Sequence, residues 1–124
     1  MNKIKKIVSV LSVAGFLMAS ASIYAASATA VKPVGGTSTV ESVSISGKDR
    51  NGTFKTSVTA GTGNGKGILY LFKRLWPDEP LLTHNVYYNG ADSKTTTIKL
   101  FSNEAYNVTS SGDKTLEVTS SITD

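Results

Sequence analysis

The 124-residue chain has no cysteine, one tryptophan, one histidine and three prolines, and neither methionine lies beyond position 18. The absence of cysteine excludes disulfides, thiol catalysis and thiolate metal sites. A lone histidine does not supply the three or four Cys, His or carboxylate ligands that zinc takes. Like-charge runs are short as well, none longer than a pair such as Lys73–Arg74, which leaves no electrostatic footprint for nucleic acid. Apolar residues at helical spacing are not sustained anywhere after the N-terminal segment. These absences predict a chain with no cofactor, no resident metal and no catalytic residues.

What is present begins with a targeting pattern. Lys3, Lys5 and Lys6 precede an apolar stretch from Ile7 to Met18, and small residues follow. This is the layout of a signal peptide, expected over residues 1–30 with its cleavage frame somewhere in 21–30. Ala-Xaa-Ala frames end at Ala21, Ala28 and Ala30, and a looser frame places Ile23 and Ala25 at the two critical positions. The apolar stretch is short for a bilayer span, so no stable membrane insertion is expected once it is removed. Cleavage after Ala30 would remove three of thirteen Lys and Arg residues, leaving ten against nine Asp and Glu. The formal charge of +4 would fall to about +1, and the basic character belongs largely to the leader. About 94 residues then remain, enough for one domain with a modest two-layer core.

The longest apolar run after the leader is Ile68–Leu75, with Ile68, Tyr70 and Phe72 on one alternating face and Leu69 and Leu71 on the other. Its length, its aromatic content and the breakers on both sides predict a central strand. Residues 31–39 read as a flexible lead. Val40–Ser46 and Phe54–Ala60 alternate as half-buried strands, with a polar turn over Gly47–Gly52 that ends in Asn-Gly. Gly61 to Gly67 carries glycine at every second position and reads as a mobile or tightly bent loop. Leu81–Tyr88, Thr95–Leu100, the Tyr106–Val108 pair and the Leu116–Val118 pair complete the set, with Asn89-Gly90 as a turn and 120–124 as a polar tail. About seven short strands at this spacing predict an all-β fold, a small antiparallel β-sandwich of immunoglobulin-like size over residues 40–119.

The segment Trp76-Pro77-Asp78-Glu79-Pro80 stands apart, because two prolines stiffen it and the sole tryptophan opens it, beside Lys73 and Arg74. An exposed aromatic ringed by both charges suits a partner contact; a tryptophan folded over the open end of the core is the competing reading. An outward Tyr87 could join Trp76 as a flat platform for sugar rings. The candidate contact set is therefore Lys73, Arg74, Trp76, Pro77, Asp78, Glu79 and Tyr87. His84 shares an apolar face and nothing in the sequence pairs it with a nucleophile. Asn51-Gly52-Thr53 and Asn107-Val108-Thr109 match the glycosylation sequon, which matters only in a eukaryotic secretory pathway.

Together these features predict a secreted, extracellular or cell-envelope-associated bacterial protein that binds an extracellular protein or a cell-surface polymer without chemistry. The alternatives are a bacteriocin-like toxin or protease inhibitor, a self-assembling structural protein pairing through its sheet edges, and a carbohydrate-binding module.

Overall fold

The computed structural model describes residues 26–88 and 92–124. The expected leader up to residue 25 and the Asn89-Gly90 turn lie outside the described residues. Nine strands follow one another: β1 Ser27–Lys32, β2 Val40–Glu41, β3 Ile45–Ser46, β4 Arg50–Val58, β5 Gly63–Phe72, β6 Glu79–Tyr88, β7 Asp92–Leu100, β8 Ala105–Gly112 and β9 Val118–Thr123. One sheet has the order β1-β9-β4-β7, and the other β2-β8-β5-β6 with β3 also on β8. All the pairings are antiparallel. The expected antiparallel β-sandwich is the architecture, with nine strands among the described residues rather than about seven.

The expected strand is central over Ile68–Phe72, where β5 pairs with β8 on one side and β6 on the other. It ends there, and Lys73, Arg74 and Leu75 lie in the connection to β6. Its inward residue Leu69 is fully buried, as are Phe54 on β4, Val108 on β8 and Ile122 on β9. Each such side chain is worth roughly 1.5–3 kcal/mol once removed from water. These residues belong to the larger of two apolar clusters, together with Ala28, Ala30, Leu100 and Tyr106. Val58, Val86, Leu116 and Val118 form the smaller cluster.

A polar layer crosses the core between the two clusters. The His84 Nδ1 lies 3.1 Å from the Thr56 hydroxyl, and the Thr56 and Ser120 hydroxyls are 3.4 Å apart. Ser110 Oγ donates to the Ala30 carbonyl at 2.8 Å and accepts from the Ser120 hydroxyl, 2.7 Å away. Gly67 sits between His84 and Ser110 in the strand register. A Cβ there would lie 2.1 Å from Thr56 Oγ1 and 2.4 Å from Ser120 Oγ. The glycine makes room for hydroxyls arriving from the opposite sheet.

Several boundaries depart from expectation. Residues 27–32 form a strand paired along its whole length with β9, so the first two residues of the expected lead, Val31 and Lys32, belong to the sheet. Ser120, Ile122 and Asp124 are buried; the expected polar tail is the second half of β9, held by β1 on one side and β4 on the other. The sandwich thus extends beyond 40–119 at both ends. The expected 40–46 strand is broken in two because Ser42 turns its side chain onto the backbone. Its hydroxyl accepts from Val108 N at 3.0 Å and lies 2.7 Å from the Val43 carbonyl. Gly63, Gly65 and Gly67 lie within β5 rather than in a loop, and the sharp bend falls at Gly61, whose φ is 84°. Gly52 is likewise inside β4, and the preceding turn takes its left-handed residue at Asp49, φ 57°. Gly67→Ala is expected to cost about 1–3 kcal/mol, read as a lower urea midpoint at unchanged slope.

Candidate functional site

The outward residues of β5 continue into a stiff hairpin tip. Tyr70 and Phe72 lie on the outer face of their sheet, and residues 73–78 turn the chain towards β6. The turn is held by Asp78, whose carboxylate accepts from Lys73 N at 3.2 Å. A salt bridge joins Lys73 Nζ to Glu79 Oε1 at 3.0 Å. Glu79 and Pro80 already belong to β6, an edge strand where a missing N–H is tolerated. The β5–β6 register shifts just there, between Leu69 and Tyr70.

This tip leaves Leu75 and Trp76 87% and 74% exposed. Trp76 is therefore not folded over the core. Beside it runs an open groove of about 490 Å³, lined by Tyr70, Phe72, Lys73, Arg74, Trp76, Pro77 and Asp78 from the hairpin and by Glu41 and Thr109 from β2 and β8. Asn107, opposite Tyr70 in the β5–β8 register, ties the two carboxylates together. Its Nδ2 donates to Glu41 Oε2 at 3.3 Å and to Asp78 Oδ2 at 3.2 Å. Asn107 is 1% exposed and its Oδ1 is buried without a hydrogen-bond partner among the described residues. So buried an amide is no acceptor for glycosylation in the folded protein.

Five expected contact residues, Lys73, Arg74, Trp76, Pro77 and Asp78, are brought together along this groove, and Glu79 joins them through its ion pair with Lys73. Tyr87 is not. It is 57% exposed but pairs with Asn64, six residues along β5 from Tyr70, or about 20 Å at strand rise. A Trp76–Tyr87 platform is therefore absent, and Tyr70 and Phe72 are the aromatics near Trp76. Glu41, Thr109 and Asn107 escape sequence reasoning because only strand pairing brings them to the hairpin. The alternation of Tyr70 and Phe72 on one face of the central strand was the available signal.

His84 faces the core, away from the groove. Its ring stacks on Phe54 with centroids 4.2 Å apart, and its Nε2 is 2.8 Å from Thr96 Oγ1. Both ring nitrogens are thus occupied by hydroxyls, leaving neither to serve a substrate. Among the described residues no group of three or more His, Cys, Asp or Glu is placed to hold a metal ion. No helix among them is long and apolar enough to cross a membrane.

No family model matches the chain, and no curated protein matches it. Similar solved structures include a CBM4 structure, 15% identical over 77% of this chain and 66% of that one, with a TM-score of 0.48. A mitogen derived from Yersinia pseudotuberculosis is 10% identical over 80% of this chain and 83% of its own, TM-score 0.45. The naturally occurring empty particle of cowpea mosaic virus is 5% identical over 82% and 75%, TM-score 0.44. This chain thus spans just under two thirds of the first of them. At these identities no ligand or activity carries over.

Burial holds the His84 imidazole below its ordinary value of 6.5, and the positive charge of Lys94 lowers it further. The unfolded chain then binds the proton more readily than the folded one, so neutral His84 favours folding above pH 6.5 and that contribution is lost as pH falls through the folded value. Stability measured by urea denaturation is expected to decline below about pH 6.5. In His84→Gln this part of the decline should disappear.

Proposed function

We propose that this protein is an exported, non-catalytic binding protein whose β2-β8-β5-β6 outer face takes a saccharide of an extracellular or cell-envelope polymer. The observation that carries this reading is the groove in which Tyr70, Phe72 and Trp76 stand beside Glu41, Asp78 and Thr109. Sugar rings combine apolar C–H faces with hydroxyls that both donate and accept. Aromatic side chains suit the first, and carboxylates and a threonine hydroxyl suit the second. The hairpin favours capture because Pro77, the Asp78 turn bond and the Lys73–Glu79 pair limit the freedom that Trp76 has to lose on binding.

Self-assembly through sheet edges is less well supported. The edge strand β7 carries Lys94 and Lys99, and the edge strand β6 carries Pro80 beside a register shift. Charge, proline and irregularity on an edge all oppose pairing with another chain.

Titration of the exported protein against soluble polysaccharides and isolated envelope polymers tests the proposal. Saturable binding is expected, weakened about tenfold by Trp76→Ala, or about 1.4 kcal/mol, and untouched by Tyr87→Ala. Binding indifferent to Trp76, or binding to protein targets alone, would discard the saccharide site. Shortening of the polymer during incubation would replace it with a hydrolytic role.

A further inference from the structure

We infer that the leader is removed at the Ala25–Ala26 bond, and that the α-ammonium this creates on Ala26 completes a buried ion pair with Asp124. The inference shares with the proposed function only the premise of export, and it stands whatever the groove binds.

The starting observation is an incompletely satisfied buried carboxylate. The Asp124 side chain is fully buried. Its Oδ1 accepts from Ala26 N at 2.9 Å, while Lys48 Nζ and Arg50 Nη2 stand further off at 3.6 and 3.5 Å. Its Oδ2 is buried with no hydrogen-bond partner among the described residues. A buried carboxylate needs both charge compensation and donors for its remaining lone pairs. The shortest contact it has is to one nitrogen, that of Ala26. As a peptide amide this nitrogen brings a single proton and no charge. As a chain terminus it brings three protons and a full positive charge to the same point.

The fold also discriminates among the four cleavage frames. Ala28 and Ala30 are fully buried, and the Ala30 carbonyl accepts from Ser110 in the polar layer. Cleavage after either residue would delete part of β1 and the ladder that pairs it with β9. Ala26 itself is still held by the ladder, its carbonyl accepting from Asp124 N at 3.0 Å. Cleavage after Ala21 would keep the strand but leave the Ala26 nitrogen as an uncharged amide. The frame ending at Ala25 keeps all of β1 and makes the Ala26 nitrogen the chain terminus.

The reaction is hydrolysis by an export peptidase that recognises small residues, acting before the chain folds. Water adds across the amide, its oxygen joining the Ala25 carbonyl carbon as the C–N bond breaks. The Ala26 nitrogen departs as an amine and takes a proton, and Ala25 is left as a carboxylate.

The test is N-terminal sequencing and intact mass of the product exported when the full chain is made in a bacterial secretion host. The expected terminus is Ala26-Ser27-Ala28. A terminus at Ser22, Thr29 or Val31, or an uncut chain, would overturn the inference. The ion pair is tested on the same product by the rate of α-amine acylation at pH 7. Acylation needs the free amine, so the reactive fraction falls about tenfold for each pH unit by which a carboxylate holds the proton on. The folded product is expected to react at least about tenfold more slowly than the same product unfolded in urea or than its Asp124→Asn variant. Equal rates in the folded and the urea-unfolded product would overturn the pair without requiring that any variant fold.

Discussion

The sandwich depends on a polar layer between its two sheets. Thr56, Ser120, Ser110 and His84 are buried there, and each finds a partner within the layer or on an adjacent backbone or hydroxyl. A buried hydroxyl with no partner costs more than an apolar residue of the same shape, whereas a fully satisfied network can rigidify a core. The layer sets the side-chain sizes around it. Gly67 is required because polar side chains from the opposite sheet converge on its position, and the apolar residues divide into a larger and a smaller cluster on either side.

The same economy of partners closes the end of the sandwich next to the smaller cluster. Lys32, the last residue of β1, is fully buried, and its ammonium donates to the carbonyls of Pro33, Gly36 and Asp113 at 3.1, 2.8 and 2.8 Å. All three of its protons are used. At the other end of β1, Asp124 gathers the Ala26 nitrogen, Lys48 and Arg50. A strand of small residues is thereby fastened at both ends by charged groups rather than by large apolar ones.

This arrangement explains which parts of the fold were legible in the sequence. The central strand was legible because aromatic and aliphatic residues alternate there without ambiguity. β1 was not, because Ala28 and Ala30, small so that the strand can lie close in the core, are also what a peptidase recognises. The glycines of β5 resembled a loop because the sequence does not reveal which side chains will occupy the space they leave. The serines and threonines of β9 resembled a fraying tail for the same reason, since their burial depends on partners that are distant in sequence. The groove was half legible. Its hairpin lies in one continuous stretch from Lys73 to Glu79, while Glu41, Asn107 and Thr109 reach it only through the pairing of β2, β8 and β5.

The layer also acts as a ruler for strand alignment. A slip of one residue would turn every side chain of a strand to the wrong face, and simple alternation already forbids it. A slip of two preserves inside and outside, so alternation alone does not detect it. In this core the levels differ in kind: Phe54 opposite Ile122, Thr56 opposite Ser120, Val58 opposite Val118. Moving β9 by two residues would set a hydroxyl against an apolar side chain at each neighbouring level. The same shift between β5 and its neighbours would carry Gly67 away from His84 and Ser110 and bring Leu69 or Gly65 to one of them. The polar residues of the core thus distinguish alignments that a uniformly apolar interior would leave nearly equal in energy.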